Sequence, residues 1–211
     1  MESKFTISEV FHTSWKSVKS QIWVLVGLLI GFCILSMIIT LFTTPAQKSV
    51  SGQIIASLIN LIISGLFTMG YYKNIFQTLD GEEPQFSAYG QQSRKILTYI
   101  VASILVFIAI GIGCILFIIP GIYLAIRLQF FIAFIVEEDC GILDSLKRSW
   151  EITDKQVMPL FLLGLAMIGI MLVGLILLVV GIFVTTPVVY TMYCYTFRKL
   201  NTIKLETPEE I

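Results

Sequence analysis

Long apolar runs alternate with short polar segments along this chain, and their lengths point to a fold. Runs 22–42, 96–119 and 160–184 contain no Asp, Glu, Lys or Arg, and each reaches the roughly 20 residues that cross a bilayer as a helix. A fourth, 54–69, is apolar apart from Ser57, Asn60, Ser64 and Thr68 and extends through Tyr71 and Tyr72. Two shorter limbs complete the pattern. One, 122–136, follows Pro120 and Gly121; the other, 182–197, follows a break near Gly181 or near Thr185, Thr186 and Pro187. Proline and glycine after a long apolar helix mark a stop and a tight turn. The pattern therefore predicts helical hairpins over 96–137 and 158–198, with Pro120, Gly121 and Pro187 as hinges and the short limbs accommodated by tilt or local thinning of the bilayer. The expected fold class is all-α: a single membrane domain over 1–211 with six transmembrane helices paired as three hairpins.

A charged amphipathic segment precedes each hairpin. In 7–19, the residues Ile7, Val10, Phe11, Trp15 and Val18 follow helical spacing on one face, and Thr6 with Glu9 fits a capping box. In 142–153, Ile142, Leu143, Leu146 and Trp150 form an apolar face opposite Asp144, Lys147, Arg148 and Glu151. A shift of 135 positions brings Ile7 onto Ile142, Glu9 onto Asp144, Phe11 onto Leu146, Ser14 and Trp15 onto Ser149 and Trp150, and Gln21 onto Gln156. The middle segment, 86–95, matches loosely. This implies three units, 1–75, 84–137 and 141–199, each an interfacial helix followed by a helical hairpin. Trp15, Trp150, Lys147 and Arg148 are the expected interfacial anchors. Together with Trp23, Tyr71, Tyr72 and Tyr89, the two tryptophans would form an aromatic belt.

Charge then orients the spans. Numbering the gaps between apolar runs, all 14 acidic residues fall in the tails and the odd-numbered gaps. So do Lys4, Lys16 and Lys19; Lys73, Arg94 and Lys95; Lys147, Arg148 and Lys155; and Arg198, Lys199 and Lys204. The even-numbered gaps hold one base, Lys48. The positive-inside rule assigns the charged side, both termini and all three interfacial helices to the cytoplasm. No signal peptide is expected, because an amphipathic stretch precedes the first apolar run.

Composition narrows the chemistry. The chain is 56% hydrophobic and 13% charged, with a formal net charge of zero; soluble domains carry roughly 25% charged residues, and no basic footprint points to nucleic acid. Cys33, Cys114, Cys140 and Cys194 form no CxxC pair and read as small buried hydrophobes. His12 is the single histidine, so a histidine metal cluster and an ordinary catalytic triad are both disfavoured. Asp80, Glu82 and Glu83, and likewise Glu137, Glu138 and Asp139, lack the spacing of a cation loop and read as solvated acids. No cofactor is expected. The spans contain no carboxylate, which counts against a proton- or sodium-coupled carrier. Gly27 with Gly31, and Ala109 with Gly113, have the spacing that lets helices approach closely, and Asn60 is expected to bond across helices.

The stretch Ile119, Pro120, Gly121, Ile122 and Tyr123, then Arg127, then Val136, Glu137 and Glu138, then the run from Ser145 to Glu151 resembles a pattern in a bacterial superfamily. That group includes YciC-like inner-membrane proteins and the membrane domain fused to some glycerophosphodiester phosphodiesterases. The resemblance is strongest over 119–155 and implies a six-helix bundle. The phosphodiesterase activity is not carried over, because the soluble barrel takes about 250 residues of its own.

Arg127 is the one charged residue inside a predicted span. It lies six positions beyond Gly121, roughly 9 Å along a helix, on a limb read as entering from the outer face. With no carboxylate expected on that side, its partners would be backbone carbonyls, water or lipid phosphate, which an arginine fork suits. The resulting expectation is a non-enzymatic bacterial inner-membrane protein that engages lipid, a membrane-protein partner or a second copy, with a role in envelope maintenance. The alternative is an uncoupled transporter or channel subunit, which water-filled polar seams around Ser57, Asn60, Ser64, Arg127 and Gln129 would favour.

Overall fold

A computed structural model describes residues 4–45 and 49–206, and they are helical with no strand among them; Lys48 lies outside the described residues. The helices are α1 (Ile7–Thr43), α2 (Val50–Leu79), α3 (Ser87–Gln92), α4 (Ile96–Leu116), α5 (Ile118–Leu128), α6 (Phe131–Glu138), α7 (Ile142–Ile152), α8 (Val157–Ile176) and α9 (Leu178–Glu206). Five stretches, Ile7–Thr43, Val50–Leu79, Ser87–Leu116, Ile118–Glu138 and Val157–Ile176, are long and apolar enough to cross a membrane.

Local chemistry explains most of the boundaries. Thr6 caps α1 by accepting from the Glu9 amide, as a capping box requires. The Glu9 carboxylate, which also faces the Thr6 amide, accepts from Tyr195 Oη at 3.0 Å and pairs with Lys199. Ser49 caps α2 through the Gly52 amide. That helix ends where Gly81, at φ 79°, lets the amides of Gly81 and Glu82 bond back to Thr78 and Gln77, a glycine-dependent helix stop.

Helices α1 with α2, α4 with α5 and α6, and α8 with α9 pack as consecutive pairs. The turns fall elsewhere than expected. The chain reverses at Phe117, a single extended residue at φ −162° and ψ 149°, and Pro120 sits in the first turn of α5 rather than at a stop. A proline there removes an amide that has no intrahelical acceptor anyway. Gly121 serves packing: a Cβ on it would meet the Cys114 backbone nitrogen at 2.9 Å, and one on Gly113 would meet Gly121 Cα at 3.0 Å. The second reversal is at Leu177, and Pro187 lies inside the unbroken α9, where the Thr191 hydroxyl bonds its carbonyl at 2.8 Å. Near that turn, a Cβ on Gly174 would overlap Thr185 and stand 3.1 Å from the Gly181 carbonyl oxygen.

The three segments read as interfacial helices pack on the outgoing helices: α3 against α2, α7 against α6 and α5, and α1 against α9. The first does not stand apart from its span. It continues through α1 across a break at Gln21, φ −122° and ψ 16°. Gln156, 135 positions later, caps α8 at φ −113° and ψ 10°. Val10, Ser14 and Val18 are buried, as are Ser145, Ser149 and Thr153 at the same shift. Trp15 and Trp150 are 39% and 37% exposed.

The core is aromatic and lies where the outgoing helices meet. Phe197 of α9 meets Phe76 of α2 and Phe130 and Phe134 beside it, with ring centroids 4.8–5.9 Å apart. Tyr72 packs edge-on to Tyr190 and Tyr193. Tyr71 and Tyr72 are therefore buried in this core and do not join an interfacial belt. Cys194 is buried, whereas Cys33 and Cys114 are exposed on the apolar flank. Gly27 and Gly31 have nothing within 4 Å of where a Cβ would stand, so they serve no close helix contact here. Asn60 bonds the Ala56 carbonyl of its own helix at 3.0 Å rather than a neighbouring helix.

Candidate functional site

Arg127 occupies the junction between α5 and α6. The two helices are interrupted at Gln129 and Phe130, and such an interruption leaves backbone groups without helical partners. Side chains from two other helices satisfy them. Ser149 Oγ accepts from the Phe130 amide at 3.0 Å and donates to the Arg127 carbonyl at 2.9 Å. Thr153 Oγ1 lies 3.2 Å from the same carbonyl, and Tyr193 Oη donates to the Gln129 carbonyl. The helical spacing of Ser149 and Thr153 on α7 thus carries a backbone-binding function that the apolar pattern did not reveal.

The guanidinium is held just as firmly. Arg127 is 4% exposed, its Nη1 stands 3.1 Å from Asp154 Oδ1, and its carbon lies 4.3 Å from the Trp150 ring and 5.9 Å from the Tyr123 ring. The expectation that no carboxylate would reach it is overturned. The reason is geometric: α7 folds back along α6 and delivers its C-terminal Asp154 to the α5–α6 junction. Arg127 Nε is buried without a hydrogen-bond partner.

Other charges gather in a belt that joins separate segments of the chain. Arg198 bridges Asp80 and Glu137, with Nη2 2.9 Å from Asp80 Oδ2 and Nε 3.1 Å from Glu137 Oε1. Lys199 pairs with Glu9, Lys95 with Asp139, and Arg148 with Glu138. Lys95 also donates to the Ile135 and Val136 carbonyls at 3.1 Å each. The N-terminal segment, the loops after α2 and α6, and the end of α9 therefore meet at one end of the molecule. The Arg198 guanidinium holds the Asp80 carboxyl below its ordinary range, with a smaller contribution from Lys73. These acids meet bases rather than a shared cation position. Of the expected anchors, Lys147 is exposed, while Arg148 turns inward over the Phe134 ring at 4.6 Å. His12 is exposed on α1.

Cavities flank this end and the apolar body. One of about 440 Å³ lies among Glu9, Thr13, Ser17, Tyr195, Lys199 and Thr202. A second, about 430 Å³, runs past Phe32, Ser36, Ser57, Asn60 and Ser64. A third, about 370 Å³, is an apolar groove between α1 and α2 lined by Leu28, Gly31, Phe32, Leu66, Phe67 and Tyr89 among others.

A profile of the family described as "Domain of unknown function (DUF7847)" matches residues 88–209. No curated protein and no solved structure matches the chain.

Proposed function

The chain belongs to the DUF7847 family, and on that premise we propose that it is a non-enzymatic, multi-pass protein of the bacterial inner membrane that engages lipid or a protein partner within the bilayer. In this reading six helices cross, α9 being the sixth, and both termini face the cytoplasm. The charged belt supports an even number of crossings, since it joins the N-terminal segment to the end of α9 through Glu9 and Lys199. The matched breaks at Gln21 and Gln156, with Trp15 and Trp150 exposed on equivalent helices, support a relation between the first and third of the three units. The likeness of 119–155 to the YciC-like superfamily belongs to the same proposal.

One observation carries the functional part. The end of the bundle where the charges meet is closed by the aromatic core and by side-chain pairing, so what the protein offers its surroundings is an apolar flank with exposed tryptophans. Trp15, Trp23 and Trp150 suit the headgroup zone, and the surface between them suits acyl chains or another helix. The polar seam at Ser57, Asn60 and Ser64 favours the transporter reading, but Phe130, Phe134 and Phe197 fill the axis it would need.

Photocrosslinkers placed at positions 15 and 150 in cells should give adducts with phospholipid or with a membrane protein. Protein reconstituted into vesicles should leave the permeability to small ions and neutral solutes unchanged. Protein-dependent solute flux would replace this reading with the transporter, and an absence of adducts at both positions would remove it.

A further inference from the structure

Along α2, Ser57, Asn60 and Ser64 share one face by their helical spacing, and all three are exposed. With Ser36 of α1 they border the seam cavity of about 430 Å³. Asn60 follows Val50, the start of α2, by ten residues, roughly 15 Å along the helix. That is the middle of a hydrocarbon layer about 30 Å thick. Its Nδ2 donates to the Ala56 carbonyl of its own helix at 3.0 Å. This uses one of two N–H groups and leaves the other, together with the Oδ1 acceptor, to the surroundings. Ser64 Oγ likewise bonds a carbonyl of its own helix, that of Leu61, at 3.2 Å. The far side of α2 is ordinary apolar surface, with Leu58 52% and Ile62 43% exposed.

An amide with open hydrogen-bonding capacity in hydrocarbon is costly. Lipid does not relieve it at this depth, because the ester and headgroup oxygens lie at the interface, roughly 15 Å away. Helix α1 does not relieve it either, since Asn60 makes no hydrogen bond to α1 among the described residues. What suits such a residue is another helix that brings both a donor and an acceptor. A second copy of α2 brings both. Two copies enter the bilayer in the same orientation, so their Asn60 side chains stand at the same depth. About a twofold axis each Oδ1 accepts the free N–H of the other, an isologous contact in which one surface matches itself.

We propose that two copies of the chain pair through the Ser57, Asn60 and Ser64 face of α2, with the Asn60 amides bonded to each other at the bilayer centre. The proposal rests on the reading of the chain as a membrane protein that engages a partner within the bilayer, and it names that partner and the surface. Asn60→Leu tests it without disturbing the monomer, because leucine is a good helix former and the native side chain bonds only its own helix. Asn60→Gln keeps the amide.

The test uses the full chain in vesicles of phosphatidylethanolamine and phosphatidylglycerol, with folding of each variant checked by circular dichroism. Energy transfer between labelled copies, followed as protein is diluted with lipid, should report a dimer. Asn60→Leu should raise its apparent dissociation constant about tenfold, and Asn60→Gln should recover part of that loss. With the native cysteines replaced by alanine, Ser57→Cys and Ser64→Cys should each oxidise to a crosslinked dimer, whereas Leu58→Cys and Ile62→Cys should not. A wild type that is monomeric at every dilution overturns the proposal, as do equal dissociation constants for wild type and Asn60→Leu. Crosslinking through Leu58→Cys and Ile62→Cys as strong as through the seam positions overturns it too. So does rapid reaction of Ser57→Cys with a membrane-impermeant maleimide, which would show a water-filled seam, or a photocrosslinker at position 60 that captures a different protein in cells. Adducts at positions 15 and 150 from a protein that stays monomeric would keep the general reading and remove this interface.

Discussion

The two ends of this molecule are built by different forces. At the charged end, Phe76, Phe130, Phe134, Ile135, Met192, Phe197 and Leu200 are almost completely buried beneath a belt of ion pairs. At the other end, the hairpin tips leave large apolar side chains uncovered: Ile115 is 86% exposed, Phe117 75% and Ile176 79%. In water the second arrangement would be unstable. In hydrocarbon it costs little, because lipid tails are as apolar as leucine and no hydrophobic force draws the tips together. Tight contact there is confined to points where small residues bring backbones together, at Gly113 with Gly121 and Gly174 with Gly181. The fold is therefore fastened at one end and merely turned at the other.

The most direct way to break that contrast is to truncate one phenylalanine at each end. Phe197→Ala should destabilise by about 3–5 kcal/mol, the range for emptying a packed aromatic position, because its ring meets Phe76, Phe130 and Phe134. Phe117→Ala should stay within about 0.5 kcal/mol, since its side chain meets the surroundings and its extended backbone suits any residue. Reversible unfolding in mixed micelles measures both. Similar losses for the two variants would show that the hairpin tips are packed as firmly as the core.

The tips have their own weak point. Gly121→Val should cost about 1–3 kcal/mol by overpacking, because the added atoms would meet the Cys114 backbone, which cannot rotate away. Gly164→Ala and Gly169→Ala should be neutral or slightly stabilising by the same measurement, since nothing lies within 4 Å of either Cβ position. Their five-residue spacing from Gly174 has no packing role in this structure.

Span lengths and the side on which charges fall are one-dimensional properties, and so they were legible in the sequence. The runs 22–42 and 54–72 lie within single long helices, whereas 96–119 and 160–184 run past the reversals at Phe117 and Leu177; the segregated charges do meet at one end. What escaped was set by packing. A proline in the first turn of a helix looks in sequence like a proline after a helix, so the pattern points to a reversal at Pro120 and Gly121, whereas the chain turns at Phe117. Arg127 looks isolated in sequence, because a count along the chain cannot show that α7 doubles back to bring Asp154 to it. Tyr71 and Tyr72 have the composition of an interfacial belt, yet their side of α2 faces α9. The pattern of serine and threonine on α7 was visible, but its partner, the broken backbone at Gln129, was not.

Breaking the Arg127 contact tests how much a buried ion pair contributes beyond aromatic packing. Asp154→Asn should cost about 1–2 kcal/mol, between the values for exposed and buried pairs, because Arg127 is buried while the Asp154 side chain is 55% exposed. The remaining contact with the Trp150 ring limits the loss. Combining Asp154→Asn with Arg127→Met should cost less than the sum of the two single changes, and strict additivity would mean that the pair is not coupled.

The belt should also respond to pH. Arg198 holds the Asp80 carboxyl below its ordinary range, so folded protein binds this proton less tightly than unfolded protein does. The contribution is therefore present above the ordinary carboxylate range and disappears as pH falls through the lowered folded value. Wild type should lose stability over that acidic interval. Asp80→Asn should be less stable at neutral pH and should show a flatter profile there. Parallel profiles for the two proteins would mean that the contact with Arg198 is not maintained in solution.

The smallest effect concerns backbone at the charged end. Asp139 and Lys155 both stand at φ 56°, in the left-handed region that costs a side-chain-bearing residue about 1 kcal/mol or more. Glycine relieves this but adds freedom to the unfolded chain, offsetting roughly 0.5–1 kcal/mol of the gain. The two positions should therefore respond differently. Asp139 pairs with Lys95, so Asp139→Gly gives up an ion pair along with the strain and should be neutral or slightly destabilising. Lys155 is exposed where α7 passes into α8, so Lys155→Gly should stabilise by a few tenths of a kcal/mol, up to about 0.5. A loss of stability in Lys155→Gly would show that the lysine side chain, like Asp139, helps fasten this end of the bundle.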